Sequence, residues 1–240
     1  MLLRNETPDC LDAFINRDAF DVPKRDASRF PLWKRVLDLT CIALSIAIWA
    51  SLMILVALWI LLTSPGPIFF RQERIGHHGR RFTILKFRSM KVNTATGSHE
   101  LHVQQLIPSD RPMTKLDALG DPRLIRGGRI LRMLGLDELP QIFNVIRGEM
   151  SLVGPRPCTP HELGLYQNTQ LERFNAPPGL TGYWQINGKN KTTFSRMVDL
   201  DIFYSRHMSL WLDLLIILKT LPSITLEIYD SFKKPVLRAS

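Results

Sequence analysis

Two adjacent carboxylates, Asp137 and Glu138, stand in the stretch Leu136-Asp137-Glu138-Leu139-Pro140-Gln141 of a chain whose formal net charge is +9. Arginines crowd them. Arg123, Arg126, Arg129 and Arg132 lie upstream; Arg147 and the Arg156 of Gly154-Pro155-Arg156-Pro157 lie downstream. This set suits a phosphorylated substrate. A carboxylate attacks phosphorus only where the surrounding negative charge is neutralised, and arginines with a divalent cation do that. The acyl phosphate so formed is itself reactive, so a second acceptor can take the group onward. Pro140 fits the first turn of a helix, where a backbone N–H is not needed. The pair is therefore expected at a helix start, near the positive end of its dipole. Taken alone it has a plainer reading, in which Asp137 simply caps that helix.

Two loops add chemistry. An arginine fixed between Pro155 and Pro157 suits neither helix nor central strand, and rigid presentation fits a bidentate clamp on phosphate. An ordinary Pro-rich turn is the alternative. The run from Pro177 to Lys189 combines aromatic faces, the amides of Gln185 and Asn187, and a lysine. Such a set holds a nucleotide or sugar by stacking and hydrogen bonds, or forms a structural turn with packed aromatics. His77 and His78 have no partner at metal-ligand spacing and read as solvated loop residues. The three cysteines, Cys10, Cys41 and Cys158, match neither a zinc site nor a disulfide framework, which points to a reducing compartment.

The elements that position these residues begin with Leu39 to Leu62, a run with no charged residue. As one helix it would be about 36 Å long, enough to cross a bilayer. It starts too late and runs too long for a cleavable signal. Positive charge flanks both sides, with Lys34 and Arg35 before it and Arg71, Arg74, Arg80 and Arg81 after it. Charge therefore selects neither orientation. A spanning helix and a hairpin that dips and returns both remain open. The run holds no Pro or Gly to bend it, and only Ser45 and Ser51 to bend it weakly. Ser64-Pro65-Gly66-Pro67 ends it. Ile68 to Phe70 reads as a short strand or interface anchor, and Arg81 to Met90 alternates like a strand with one buried face. Arg123 to Leu134 has helical spacing, with a solvated basic face as its plain reading. Ile142 to Ile146 reads as a short amphipathic helix stopping at Gly148. Met208 to Ile228 is too interrupted to span, and suits a helix lying at an interface or docked on the domain. Residues 18–30 are expected as a short surface helix or a mobile segment, and His99 to Leu106 carries a helical signal.

These pieces together resemble the bacterial monotopic polyprenyl-phosphate sugar-1-phosphate transferases, or phosphoglycosyl transferases. The resemblance runs from Lys34 to Ile228. It rests on Lys34-Arg35…Asp38, Ser64 to Gly76, Lys86-Phe87-Arg88-Ser89-Met90, Asp121-Pro122-Arg123, Leu136 to Gln141, Gly148 to Pro157 and Pro178 to Lys189. It implies a helix-rich α/β fold: one N-terminal membrane-inserted helix, re-entrant or spanning, and a small cytoplasmic domain with amphipathic interfacial helices. The boundaries that follow are a polar segment at 1–33, the membrane helix at 34–64, a catalytic domain at 65–228 and a basic tail at 229–240. It implies transfer of a sugar-1-phosphate from a UDP-sugar to polyprenyl (undecaprenyl) phosphate at the cytoplasmic face of the bacterial inner membrane. UMP is released, Mg²⁺ is required, and the sugar phosphate passes through a covalent intermediate. Asp137 matches the nucleophile and Glu138 its partner, and the two are the expected metal ligands. Arg132, five residues before the pair, and Arg156 match phosphate-binding arginines. Lys86, Arg88, Gln185 and Asn187 complete the expected substrate contacts. One departure touches topology: the family's helix-breaking Ser-Pro pair has its nearest counterpart in Ser51-Leu52, without the proline.

The net charge asks for an anionic partner: phosphates, nucleic acid or a lipid surface. A nucleic-acid module would show a basic stripe on a recognition element, and none is visible, so no nucleic acid is expected. A non-catalytic protein anchored by one helix and binding anionic lipid is the competing reading. It has no use for Asp137-Glu138 amid arginines or for a rigid Gly-Pro-Arg-Pro. Expected partners are a UDP-sugar, polyprenyl phosphate and membrane lipids, with room for a homodimer. The sugar and the glycan pathway are not legible.

Overall fold

The apolar run folds as two helices, α1 (Leu32–Leu44) and α2 (Ile46–Thr63), in the computed structural model, which describes residues 30–92, 109, 112 and 121–233. The break lies at Ser45 and not at Ser51. Ser45 has φ −98° and ψ 7°, and its hydroxyl donates to the Cys41 carbonyl at 2.7 Å. The Trp49 indole N–H donates across the break to the Ile42 carbonyl at 3.0 Å, satisfying an acceptor that continuous helix would have served. Ser51 also donates back to a carbonyl, that of Ala47, but its helix continues. Backbone interruption thus needs neither Pro nor Gly here, because the Trp49 indole takes up the freed Ile42 carbonyl.

Much of the apolar surface of these helices is uncovered. Leu44, Ile48, Ile54, Leu55 and Leu62 are all exposed, whereas Ile42, Val56 and Ile60 pack against the rest of the chain. The α2 helix has the length and composition to cross a membrane.

After the Pro-Gly turn come β1 (Phe69–Ile75) and β2 (Arg81–Phe87), an antiparallel pair in which Gln72 faces Ile84 and Phe70 faces Lys86. The expected helix over Arg123 to Leu134 is shorter: α3 spans Gly128–Met133, because Gly127 takes a left-handed φ of 79° and starts it late. A single 3₁₀ turn, Leu136–Glu138, leads to α4 (Gln141–Arg147), which stops at Gly148 as its sequence indicates. Then β3 (Ser151–Val153) pairs in parallel with β4 (Gly179–Thr181). Between them lie α5 (Pro160–Leu163) and a 3₁₀ segment, Asn168–Asn175. The short α6 (Tyr183–Ile186), then α7 (Phe194–His207) and α8 (Leu210–Lys233), complete the described chain. The fold is helix-rich α/β, with two sheets of two strands each among the described residues. The helices expected within 18–30 and over His99 to Leu106 lie outside those residues, Phe30 apart.

The core sits between β1, the 3₁₀ segment and α7, where Ile75, Tyr166, Phe174, Phe194 and Met197 pack together. The α8 helix docks through Ile216 and leaves Trp211, Leu215 and Leu218 exposed along one stripe. Pro222 lies inside this helix without ending it. A buried polar cluster joins α1 to α7 and α8. The Lys34 ammonium donates to Asp213 and, at 2.8 Å, to the Tyr204 oxygen, and the Tyr204 hydroxyl donates to Asp213 at 2.6 Å. Asp38 accepts from the Ser151 hydroxyl and the Leu152 N–H, each at 3.0 Å.

Candidate active site

Asp137 and Glu138 occupy the 3₁₀ turn between α3 and α4, which follows Gly135 in the left-handed region. Asp137 is buried and Glu138 half-exposed. The capping role is not what the turn provides: Pro140 takes the position before α4, and no side chain caps that helix. Glu138 Oε1 accepts from the Lys86 ammonium at 2.8 Å. Lys86 reaches it from β2, so a strand positions the cation and a tight turn positions the carboxylates. The helix α3, which carries Arg132, packs against the same turn.

A second group of charges adjoins the first. Arg156 donates through Nη1 to Glu162 Oε2 at 3.1 Å. Glu162 is buried on α5, where the Thr159 hydroxyl oxygen accepts its N–H and starts the helix. Arg74 enters from β1, with its Nη1 3.9 Å from Glu162 Oε1. Arg173 lies fully buried beneath. It donates to the Arg156 carbonyl at 2.8 Å, to the Tyr166 oxygen and to the Asp201 carboxylate. The Gly-Pro-Arg-Pro loop is thus held at both the backbone and the guanidinium of Arg156.

The electrostatics tie the two groups together. Burial lowers the Arg74 pKa first and the neighbouring Arg156 lowers it further, while Glu162 and, more weakly, Glu138 oppose them. Burial pushes the Glu162 carboxyl up, but Arg156, Arg74 and Arg173 outweigh it and hold it below its ordinary value. Burial also pushes Asp201 up to about 6 against the pull of Arg173, and the Cys158 thiol up to about 12, where it is inert as a nucleophile. Hydrogen bonds from Arg123 lead in holding Asp121 below the usual carboxylate range, and Arg132 adds its charge.

The other expected contacts are placed differently. Arg88 is buried, and its guanidinium donates to the Pro67 carbonyl at 2.5 Å and to the Ser64 hydroxyl and carbonyl at 2.9 Å each. It therefore secures the exit from α2. Asn187 donates to the Tyr183 carbonyl at 2.8 Å and closes α6, while the Gln185 carbonyl accepts from Ser223. That helix packs on α7 and α8. Sequence reading missed Arg74, Glu162, Arg173 and Asp201. The Thr159-Pro160…Glu162 helix start was a readable signal for one of them. Nothing local marks Arg173, whose importance comes from burial alone.

Among the described residues no three His, Cys, Asp or Glu side chains gather as a metal-binding group. The adjacent carboxylates of Asp137 and Glu138 are a pair of hard-oxygen donors in the site.

Comparison with known proteins agrees with the geometry. A family model described as bacterial sugar transferase matches residues 29–227. The exopolysaccharide production protein ExoY of Sinorhizobium fredii is 37% identical over 212 residues, covering 87% of this chain and 94% of that protein. The UDP-glucose:undecaprenyl-phosphate glucose-1-phosphate transferase of Caulobacter vibrioides is 43% identical, over 80% of this chain and 70% of its own. The undecaprenyl-phosphate galactose phosphotransferase of Salmonella typhimurium is 38% identical over 81% of this chain and 40% of that longer protein. With a match that begins before α1 and ends within α8, the chain belongs to the bacterial sugar transferase family, the polyprenyl-phosphate sugar-1-phosphate transferases its motifs resemble.

Proposed function

We propose that this protein transfers a sugar-1-phosphate from a UDP-sugar to undecaprenyl phosphate at the cytoplasmic face of a bacterial inner membrane, as a step in building a surface glycan. The observation that carries the reading is the Asp137-Glu138 turn with Lys86 paired to Glu138, and a guanidinium cluster beside it, in a chain of this family. A diphosphate donor brings several negative charges, and in this reading Lys86, Arg132 and the part-exposed Arg156 offset them.

In this mechanism Asp137 is the nucleophile. Its carboxylate oxygen forms a bond to the β-phosphorus of the donor, the bond to the α-phosphate oxygen breaks, and UMP leaves. The phosphate of the lipid then attacks the same phosphorus and releases Asp137 as a free carboxylate. The lipid phosphate is already an anion at neutral pH and needs little help from a base. Glu138, oriented by Lys86, supports the site beside it. Two adjacent carboxylates are hard-oxygen donors of the kind Mg²⁺ takes. Asp137 and Glu138 would hold it, and it would offset charge on the transferring phosphoryl group. Arg156, gripped by Glu162 and Arg173, presents its remaining N–H groups to phosphate as a fixed fork. The exposed apolar surface of α1 and α2 and the Trp211-Leu215-Leu218 stripe of α8 suit insertion into a bilayer and its interface, where the lipid acceptor resides.

The test is partial reaction without lipid. UDP-sugars labelled in the β-phosphate are offered as a panel, with release of UMP and label on protein both followed. Label should appear on the wild type at Asp137 by peptide mapping, and Asp137→Asn should take none and turn over essentially nothing. Brisk turnover with lipid but no labelling without it would leave direct displacement in place of the covalent step.

A further inference from the structure

We infer that Asn144 is a positioning residue of this site, acting through Lys86 by standing in for a missing strand beside β2. The inference rests on the reading of Lys86 and Glu138 given above. The β1–β2 ladder uses one edge of β2, and the other edge faces α4 with backbone groups that need partners. Asn144, fully buried on α4, supplies them. Its Oδ1 accepts from the Leu85 N–H at 3.0 Å, and its Nδ2 donates to the Thr83 carbonyl at 2.7 Å. A carboxamide carries one acceptor and one donor group, as a peptide unit does, and here it is read by the strand as a neighbour would be. The second Nδ2 hydrogen goes to Glu149 Oε2 at 2.6 Å, and the Glu149 N–H returns to the Asn144 carbonyl at 3.0 Å. These partners fix the amide's orientation, since the flipped group would set donors against the Leu85 N–H.

The consequence reaches the chemistry in one residue. Leu85 precedes Lys86, and Lys86 donates to Glu138 at 2.8 Å. Glu138 lies just ahead of α4, the helix that carries Asn144. Asn144 therefore clasps the strand bearing the cation to the helix that follows the carboxylates. The two residues closest in shape do not fit. Asp retains the acceptor but loses the donors and faces Glu149 as a like charge, and Leu has the shape with neither group.

The experiment combines hydrogen exchange with a mutant cycle on the full chain in lipid nanodiscs. Asn144→Asp and Asn144→Leu are first confirmed folded by near-ultraviolet circular dichroism. The Leu85 amide should be protected in the wild type and exchange freely in both variants. Their kcat/KM for UMP release should fall by about 100-fold, the scale of a small misplacement in a catalytic constellation. Glu149→Gln keeps an acceptor for Nδ2 and should stay near wild type. In a Lys86→Ala background, read by single turnover at high enzyme concentration, the further loss from Asn144→Asp should shrink to less than about 3-fold, as expected when one residue acts through the other. An equal fold loss in both backgrounds, or continued protection of Leu85 in the variants, overturns the inference. If Lys86→Ala alone is as active as wild type, the reading of the site fails instead, and exchange at Leu85 alone decides the strand clasp.

Discussion

Arg156 and Glu162 show how a surface-facing cation is kept rigid. The guanidinium is part-exposed while its carboxylate partner is buried, so the fork points outward from a fixed root. Arg156→Lys keeps the charge and loses the planar fork. It should lower kcat/KM for UMP release by at least about 10-fold, at a thermal midpoint close to wild type, the cost of about one charge-assisted hydrogen bond. Wild-type turnover in Arg156→Ala would remove the residue from the site. Glu162 belongs to stability as well. Its carboxyl is held below its ordinary value of 4.5 because the arginines around it outweigh its burial. The unfolded chain therefore binds the proton more readily, and stability falls as pH drops through that depressed value. Asp201, raised by burial to about 6, has the opposite sign and loses stability as pH rises toward that value. Glu162→Gln isolates the first effect. It should cost about 3–5 kcal/mol near neutral pH, as when one partner of a buried charge group is removed. It should also flatten the acid limb of a denaturant-unfolding series, and an unchanged acid limb would show that Glu162 does not titrate in this way.

At the scale of elements, the site depends on two loops that cross with no room between them. A Cβ added at Gly154 would lie 2.0 Å from the Pro177 carbonyl oxygen and 2.8 Å from the Gly179 nitrogen. The neighbours are backbone, so nothing can swing aside. Gly154→Ala should separate β3 from β4, displace Arg156 and cost at least about 3 kcal/mol, the upper range of overpacking. A thermal midpoint within a degree or two of wild type would mean that the loops part freely. This crossing also shows what the sequence reveals. Gly-Pro-Arg-Pro and Pro-Pro-Gly stand out as motifs, yet their contact does not, because three-residue strands carry no periodicity. The longer β2 was legible from alternation and α4 from its spacing and its Gly148 stop. Asp137, Glu138 and Arg156 stand out as candidates through motif and charge. Arg74, Arg173 and Asp201 were not, since only the fold makes those polar residues a buried cluster. Ser45 was one of two candidate bends, and the Trp49 bond that helps complete the break spans turns no linear pattern connects.

For the whole molecule the decisive contacts are those at the two ends of the apolar segment. At the entry, Lys34 is buried against Asp213 and Tyr204, and Arg35 donates to the Val145 and Ile146 carbonyls at the end of α4. At the exit, the Trp59 indole donates to the Arg126 carbonyl at 3.0 Å, and Arg88 holds Ser64. Both ends are thereby bound to one domain. A straight span would set them on opposite sides of about 30 Å of hydrocarbon, which no such pair of contacts survives. Breaking the entry alone is costly, because Asp213 would remain buried without its cation. The segment is therefore predicted to enter and return on the side of the catalytic domain, with the Ser45 break as the point where its direction changes. Single cysteines placed at residue 30 and at the exposed residue 80, in a chain whose native Cys10, Cys41 and Cys158 are replaced by serine, test this with a membrane-impermeant maleimide. In intact cells neither position should react, and in inverted membrane vesicles both should. Reaction at residue 30 alone in intact cells, with residue 80 reacting only in the vesicles, would mean that the segment spans and that the contacts of Lys34 and Arg35 do not form in the bilayer.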